Sequence, residues 1–361
     1  MTFAIRQPPR ILFGRDQAMQ AIPAVVAMGW HAFVVHGRDL SRAAWLAHGL
    51  RREGIAVTTH ACDREPTLPM LESAVAAARG ADVVVSLGGG AAIDLGKAVA
   101  ALVPAPGPAM DHLEVVGRGL PLAADPLPFV ALPTTAGTGA EVTRNAVIDV
   151  PAHRRKVSLR DDRMVARLAV IDPALTDGCP RGVTLASGLD ALVQVIEPYL
   201  CTRANAYTDA LCRPAIPQAV RALRRLMQGE DRDARDAIAW VSLCGGLALA
   251  NAGLGAVHGL AGVIGGLTGA AHGAICGALL PHVLRANAAA PRMAEVLAAL
   301  GDLSEFEHWM HGAGLPRLSA LGLRAADHLA VAEAALAASS MKANPVPLAA
   351  ADLAAILHAA G

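Results

Sequence analysis

The feature that most constrains this chain is a change of texture at Asp172-Pro173. Before it, short β-branched runs alternate with helical ones. HAFVVHG (31–37), IAVTTHA (55–61), ADVVVSLGGG (81–90) and DPLPFVALPTT (125–135) read as strands, and ARLAVIDP (166–173) as a final one. SRAAWLAHGLRREG (41–54) reads as a helix capped by Ser41 and stopped by Gly54, and PTLPMLESAVAAARGA (66–81) as the next helix. AVIDV (146–150) and KVSLRDD (156–162) form a hairpin pattern. This rhythm implies a mostly parallel sheet with helices on both faces. After Pro173 the sequence turns to long Ala/Leu-rich helical periodicity with almost no strand signal. The expectation is an α/β domain over residues 1–173, followed by an all-α domain over 174–361.

With 54% hydrophobic and 17% charged residues, the chain is globular rather than disordered. Its formal net charge of zero argues against nucleic acid or an anionic membrane as a main partner. Cysteines stand at 62, 179, 201, 212, 244 and 276, with no C-x-x-C pair. That scatter is expected of buried, reduced thiols in a cytoplasmic protein. The first residues lack a basic region followed by an apolar stretch, so no signal peptide is expected. Gly, Pro or charge interrupts each apolar stretch before it reaches the roughly 20 residues of a spanning helix.

Three segments carry chemistry. In SLGGGAAIDLGK (86–97) a strand runs into glycines and then a helix near Ala92. Bare N–H groups at a helix N-terminus suit a pyrophosphate, although the same pattern alone is also a plain tight turn. In LPTTAGTGAEVT (132–143), Thr134, Thr135 and Thr138 flank Gly137 and Gly139 at a strand end. These hydroxyls suit ribose and phosphate, or a loop that satisfies its own backbone. Farther on, GLDALVQVIEPYL places Asp190 and Gln194 one helical turn apart, with Glu197 near the same face. GAVHGLAGVIGGLTGAAHG then places His258 and His272 fourteen residues apart in apolar surroundings. Singly, Asp190 reads equally as a carboxylate near a helix N-cap and each histidine as a core residue. Together a carboxylate and two imidazoles suit Fe²⁺ or Zn²⁺.

Over essentially its whole length the chain resembles the iron-containing (group III) alcohol dehydrogenase family, which shares its fold with glycerol dehydrogenase and dehydroquinate synthase. The family pattern GGGSxxDxAK aligns with residues 88–97. PTTAGTGAEVT (133–143), AVIDPALT (169–176), GLDAL (188–192) and VHGLAG…HG…LLPHVLRAN (257–287) also match. The resemblance implies an NAD(P)-binding first domain, a helical metal domain and a small alcohol or aldehyde substrate. It implies Asp190, His258 and His272 as metal ligands and catalytic residues. Gly89, Gly90, Ala91, Asp94, Thr134, Thr135, Thr138 and Lys156 would be cofactor residues. A homodimer is implied as well.

Two departures stand out. The family histidine four residues after the aspartate is Gln194 here, a weaker, neutral fourth ligand or a hydrogen-bonding neighbour of the metal. The histidine that many members carry four residues after the first C-terminal ligand is Gly262 here. These departures keep open a metal-free, maleylacetate reductase-like enzyme, and beyond it a non-catalytic nucleotide-binding protein on the same scaffold. The family position that favours NAD with an acidic residue falls on Gly37. Next to it, Arg38 could meet the 2′-phosphate of NADP, while a shift in the turn would bring Asp39 to the ribose.

Overall fold

Five of the β-branched runs, joined by a short strand at Ile11–Phe13 that the sequence pattern does not mark, form one parallel sheet in a computed structural model that describes residues 2–361. The strands are β1 (Ile11–Phe13), β2 (His31–His36), β3 (Ala56–Ala61), β4 (Val83–Gly88), β5 (Phe129–Pro133) and β8 (Leu168–Ile171), in the spatial order β1-β8-β5-β4-β2-β3. Between β5 and β8 lies the antiparallel hairpin β6 (Asn145–Val150) and β7 (Arg155–Arg160). The central strands β4 and β5 are buried at every position, with only Ser86 polar, because both faces are covered. Val34, Val83, Val85 and Val130 pack with Leu46 and Leu50 on one side. Phe33, Val35, Val84 and Ala131 pack with Leu71, Ile93 and Val99 on the other. The helices of this unit are α1 (Ala21–Val26), α2 (Ala44–Arg52), α3 (Leu68–Ala77) and α4 (Gly90–Leu102).

Two local expectations shift. Ser41 does not cap α2. A 3-10 turn, Leu40–Ala43, precedes that helix, and Asp39 caps the turn by accepting from Ser41 N at 2.9 Å. Helix α4 begins at Gly90, two residues before Ala92, with Gly89 at its N-cap.

Beyond Thr176 the fold is helical: α5 (Arg181–Leu200), α6 (Ala206–Leu226), α7 (Arg232–Asn251), α8 (Ala256–Thr268), α9 (His272–Ala286), α10 (Met293–Leu300), α11 (Leu303–Gly312), α12 (His328–Leu336) and α13 (Ala350–Ala360). By compactness, residues 7–135 and 140–176 form the α/β unit. Residues 177–361 form the helical unit, which also takes in the residues up to Arg6 and the short stretch 136–139. Helix α5 lies against α6, α7 and α9 and is buried continuously from Gly188 to Leu200. Among the described residues no single helix is long and apolar enough to cross a membrane, although α7 and α8 pass a length and composition test as a pair bent by 97°.

Inside the α/β unit the Lys97 side chain is fully buried. Its ammonium donates to Ala140 O (2.6 Å), Thr143 Oγ1 (2.9 Å) and Asn145 O (2.8 Å). These bonds tie α4 to the segment that follows β5, and Asp94 Oδ2 ties α4 to the hairpin by accepting from Val147 N at 3.1 Å. Burial pulls Lys97 down to about 8 against the pull of Asp94 and Glu141. Burial likewise pushes the Glu141 carboxyl up to about 7, against a backbone hydrogen bond and Lys97. A carboxyl raised by folding contributes stability below its ordinary value of 4.5 that is lost as pH rises through about 7. Glu141→Gln should therefore match the parent protein in urea unfolding at about pH 4. At pH 8 it should be more stable, by up to the order of 3 kcal/mol. Equal stability of the two at both pH values would show that Glu141 carries no ionisation penalty.

Candidate functional site

In the α/β unit, β2 has β3 on one side and β4 on the other, so the chain reverses its direction of travel across the sheet between β2 and β4. At such a reversal the loops leaving adjacent carboxyl ends diverge, which opens a crevice. The segments singled out in the sequence meet there. Gly37 and Arg38 follow β2, Gly89 to Ala91 follow β4, and Thr134 and Thr135 follow β5. Thr134 N donates to Gly88 O at 2.9 Å, and a β-carbon on Gly89 would lie 3.3 Å from Thr135 Oγ1. Gly37 has open space where a side chain would be. The Arg38 guanidinium is exposed and donates to Asp63 O at 3.3 Å. Both Asp39 carboxylate oxygens are engaged by Ser41, through its N–H and its hydroxyl. Lys156 lies on β7, paired with Glu65 at 2.5 Å. Thr138 belongs to the 136–139 stretch of the helical unit.

In the helical unit, α5 is apolar enough to be wholly buried, yet it carries Asp190, Gln194 and Glu197 at i, i+4 and i+7, on one face. Asp190 Oδ1 lies 3.3 Å from His258 Nε2 and 3.9 Å from His272 Nε2. Cys276 Sγ lies 3.5 Å from His272 Nε2. One ligand atom from each of Asp190, His258, His272 and Cys276 falls within 4.8 Å of all the others. The carboxylate side chain is 2% exposed, the His258 ring 8% and the His272 ring 30%, so the cluster is sealed on one side and open at His272.

Neighbouring groups hold the cluster in place. Glu197 Oε2 accepts a hydrogen bond from His258 Nδ1 at 2.7 Å, while its Oε1 accepts from Val257 N at 2.7 Å. That pairing orients the ring so that Nε2 faces Asp190. Two glycines permit the approach. A β-carbon on Gly273 would lie 2.3 Å from Ala186 O, so only glycine lets the start of α9 rest on α5 and bring His272 to Asp190. A β-carbon on Gly255 would lie 2.8 Å from Glu197 Oε1.

The electrostatics are those of a cation site. Burial pushes the Asp190 carboxyl up, but His258, His272 and Cys276 outweigh it and leave the group below the usual carboxylate range. Burial pulls His258 down, and Asp190 and Glu197 on either side outweigh it in turn, so the ring is raised. Even so, Asp190 Oδ1 and Gln194 Oε1 are buried without a hydrogen-bond partner among the described residues. A buried carboxylate oxygen left unsatisfied is costly, and a missing ion is a standard physical cause. The donor set fits a divalent transition metal.

Residues 8–173 match the family described as iron-containing alcohol dehydrogenase, and 184–361 match its C-terminal family. The chain belongs to the iron-containing alcohol dehydrogenases. It is 34% identical to long-chain-alcohol dehydrogenase 1 of Geobacillus thermodenitrificans, over 98% of this chain and 95% of that one. The crystal structure of a 1,3-propanediol oxidoreductase superposes with a TM-score of 0.91 at 28% identity, covering 100% of both chains. An alcohol dehydrogenase from Oenococcus oeni superposes with a TM-score of 0.92 at 26% identity, again covering 100% of both. As a member of this family the chain is an enzyme, an oxidoreductase of alcohols and aldehydes, and the family implies NAD(P) and a metal.

Several sequence expectations resolve against this geometry. Asp190 is not near a helix N-cap, since α5 starts nine residues earlier at Arg181. Its Oδ1 instead has both histidine Nε2 atoms within 3.9 Å. The Gln194 amide donates from Nε2 to Gly137 O at 3.0 Å, so it tethers the 136–139 stretch to α5. All six cysteines are free and buried, as their spacing implies. Glu197, expected only near the Asp190 face, and Cys276, expected only as a buried thiol, both join the site. Their spacing held a signal: Cys276 stands at i+4 from His272, as Glu197 stands at i+7 from Asp190.

Gly273→Ala should force α9 off α5. We expect a loss of about 1–3 kcal/mol in stability, read by urea unfolding, together with weakened metal retention. Unchanged stability and retention would mean that the α5–α9 approach does not set the cluster.

Proposed function

We propose that this protein reversibly oxidises a small alcohol to an aldehyde or ketone, with NAD(P) as hydride carrier and one divalent metal, Fe²⁺ or Zn²⁺, held by Asp190, His258 and His272. The observation that carries the proposal is the unpartnered, buried Asp190 Oδ1 facing two imidazoles. When bound, nicotinamide supplies the hydride chemistry and the metal supplies Lewis-acid stabilisation of negative charge on the substrate oxygen.

The chain's own residues do the rest. Asp190 provides anionic charge in a dry setting where it is least screened. Glu197 keeps His258 in one orientation. The 30% exposure of His272 leaves the cluster accessible on one side, as catalytic metal sites require. Gly89, Gly90 and Ala91 offer backbone N–H groups at the positive end of α4 to a pyrophosphate. Thr134, Thr135 and Thr138 offer hydroxyls to the cofactor. Asp94 and Lys156 act on the cofactor side as supports, through Val147 N and Glu65. Gln194 is the feature that favours a metal-free relative of the maleylacetate reductase kind. The absence of a histidine at Gly262 removes one proton-relay candidate. The active form is proposed to be a homodimer.

Metal analysis of purified protein, followed by reconstitution and an aldehyde and ketone screen, tests the main reading. His272→Ala should lose metal and turnover together. Full turnover of that variant after chelation would establish the metal-free alternative.

Cofactor choice follows from the turn after β2. Gly37 leaves room and presents no negative charge, Arg38 is exposed nearby, and Asp39 is committed to Ser41. NADPH should be used at least as well as NADH. A tenfold preference for NADH in kcat/KM, about 1.4 kcal/mol, would reassign the ribose contact to Asp39.

A further inference from the structure

The metal set implied by the family has three imidazoles and one carboxylate, and this chain lacks one of those imidazoles. Gln194 stands in that place; its Nε2 donates to Gly137 O, and its Oε1, buried without a hydrogen-bond partner among the described residues, is a neutral and weaker donor than imidazole. The cluster nevertheless has four members, because one turn into α9 a cysteine faces the same point. We propose that Cys276 is the fourth protein ligand, its thiolate replacing the imidazole that Gln194 does not supply. This inference rests on the metal reading above.

Geometry supports it. Donor atoms around a tetrahedral zinc lie roughly 3.3–3.8 Å apart, given bond lengths of 2.0–2.3 Å. The separations Asp190 Oδ1–His258 Nε2 (3.3 Å), Asp190 Oδ1–His272 Nε2 (3.9 Å) and His272 Nε2–Cys276 Sγ (3.5 Å) are already near that range. The helix imposes the pairing: His272 and Cys276 are at i and i+4, so both side chains leave the same face of α9. Independently of the cysteine, the buried Asp190 Oδ1 has no hydrogen-bond partner, which marks the space between these residues as one that wants a cation.

The chemistry differs from that of an all-imidazole set. On metal binding the Cys276 S–H bond breaks, its proton goes to solvent, and the sulfur lone pair forms the new bond. The protein donors then carry two negative charges, from Asp190 and Cys276, and neutralise a divalent ion. A thiolate is a softer donor than imidazole or amide oxygen, so the site should favour Zn²⁺ over Mn²⁺ and Fe²⁺.

The deciding experiment is zinc X-ray absorption on full-length protein stripped of metal and reloaded with one equivalent of Zn²⁺. Wild type should show a sulfur scatterer at about 2.3 Å beside nitrogen and oxygen at about 2.0–2.1 Å. Cys276→Ser should lose the sulfur shell and bind Zn²⁺ roughly tenfold or more weakly, whereas Gln194→Ala should keep the shell. Cobalt-loaded wild type should show a near-ultraviolet sulfur-to-cobalt charge-transfer band, which decides the matter from wild type alone if the serine variant does not fold. Zinc bound without a sulfur shell would overturn the cysteine assignment and leave the metal reading intact. Metal lost from Gln194→Ala but not from Cys276→Ser would give the fourth position to the amide. Wild type that binds no zinc would overturn both readings.

Discussion

A carboxylate buried in the middle of an apolar helix is the constraint on which the site depends. Asp190 is 1% exposed, and His258, His272 and Cys276 offset its desolvation. Each of these arrives from another helix, and each needs a local device to arrive. His258 is aligned by Glu197, which comes from the same α5 as Asp190. His272 and Cys276 are admitted by Gly273, where a single added carbon would strike the α5 backbone. Helix α5 thus supplies both an anionic centre and the group that orients one of its partners.

The α/β unit solves a different problem with the same economy. Its glycine edge between β4 and α4 is bare backbone, so it cannot brace itself with side chains. Bracing comes from one layer below. Lys97 gathers three oxygens from the segment after β5, and Asp94 holds the hairpin. The buried charges of this unit are consequently positioned under the glycine turn rather than in it. Asp94 and Lys97, three residues apart in the 88–97 pattern, both bond to backbone groups of the segment 140–147.

Gln194 links two features that the sequence kept apart. Its amide donates to Gly137, within the stretch that carries Thr138, so the helix bearing Asp190 also holds that loop. A residue that reads as a damaged metal ligand therefore has a structural role of its own. Cys276, which composition and spacing assigned only to the core, lies in the cluster with Asp190, His258 and His272.

Periodicity and motif order by themselves determined the α/β-then-helical architecture, because a sheet covered on both faces and helices that bury one another leave distinct apolar patterns. They also determined the family, the glycine and threonine edges, and the pairing of Asp190 with two histidines. Helix boundaries such as the start of α4 and the cap before α2 were less legible, since Ser41 and Asp39 are both good caps and only the turn geometry selects between them. What tertiary structure alone decided was which residues gather around Asp190. Glu197 lies sixty-one residues from His258, and Cys276 lies eighty-six residues from Asp190. No local pattern encodes such distances. They are closed by the packing of α5 against α9 and of α8 over Glu197, where the absence of a β-carbon at Gly273 and Gly255 allows the approach.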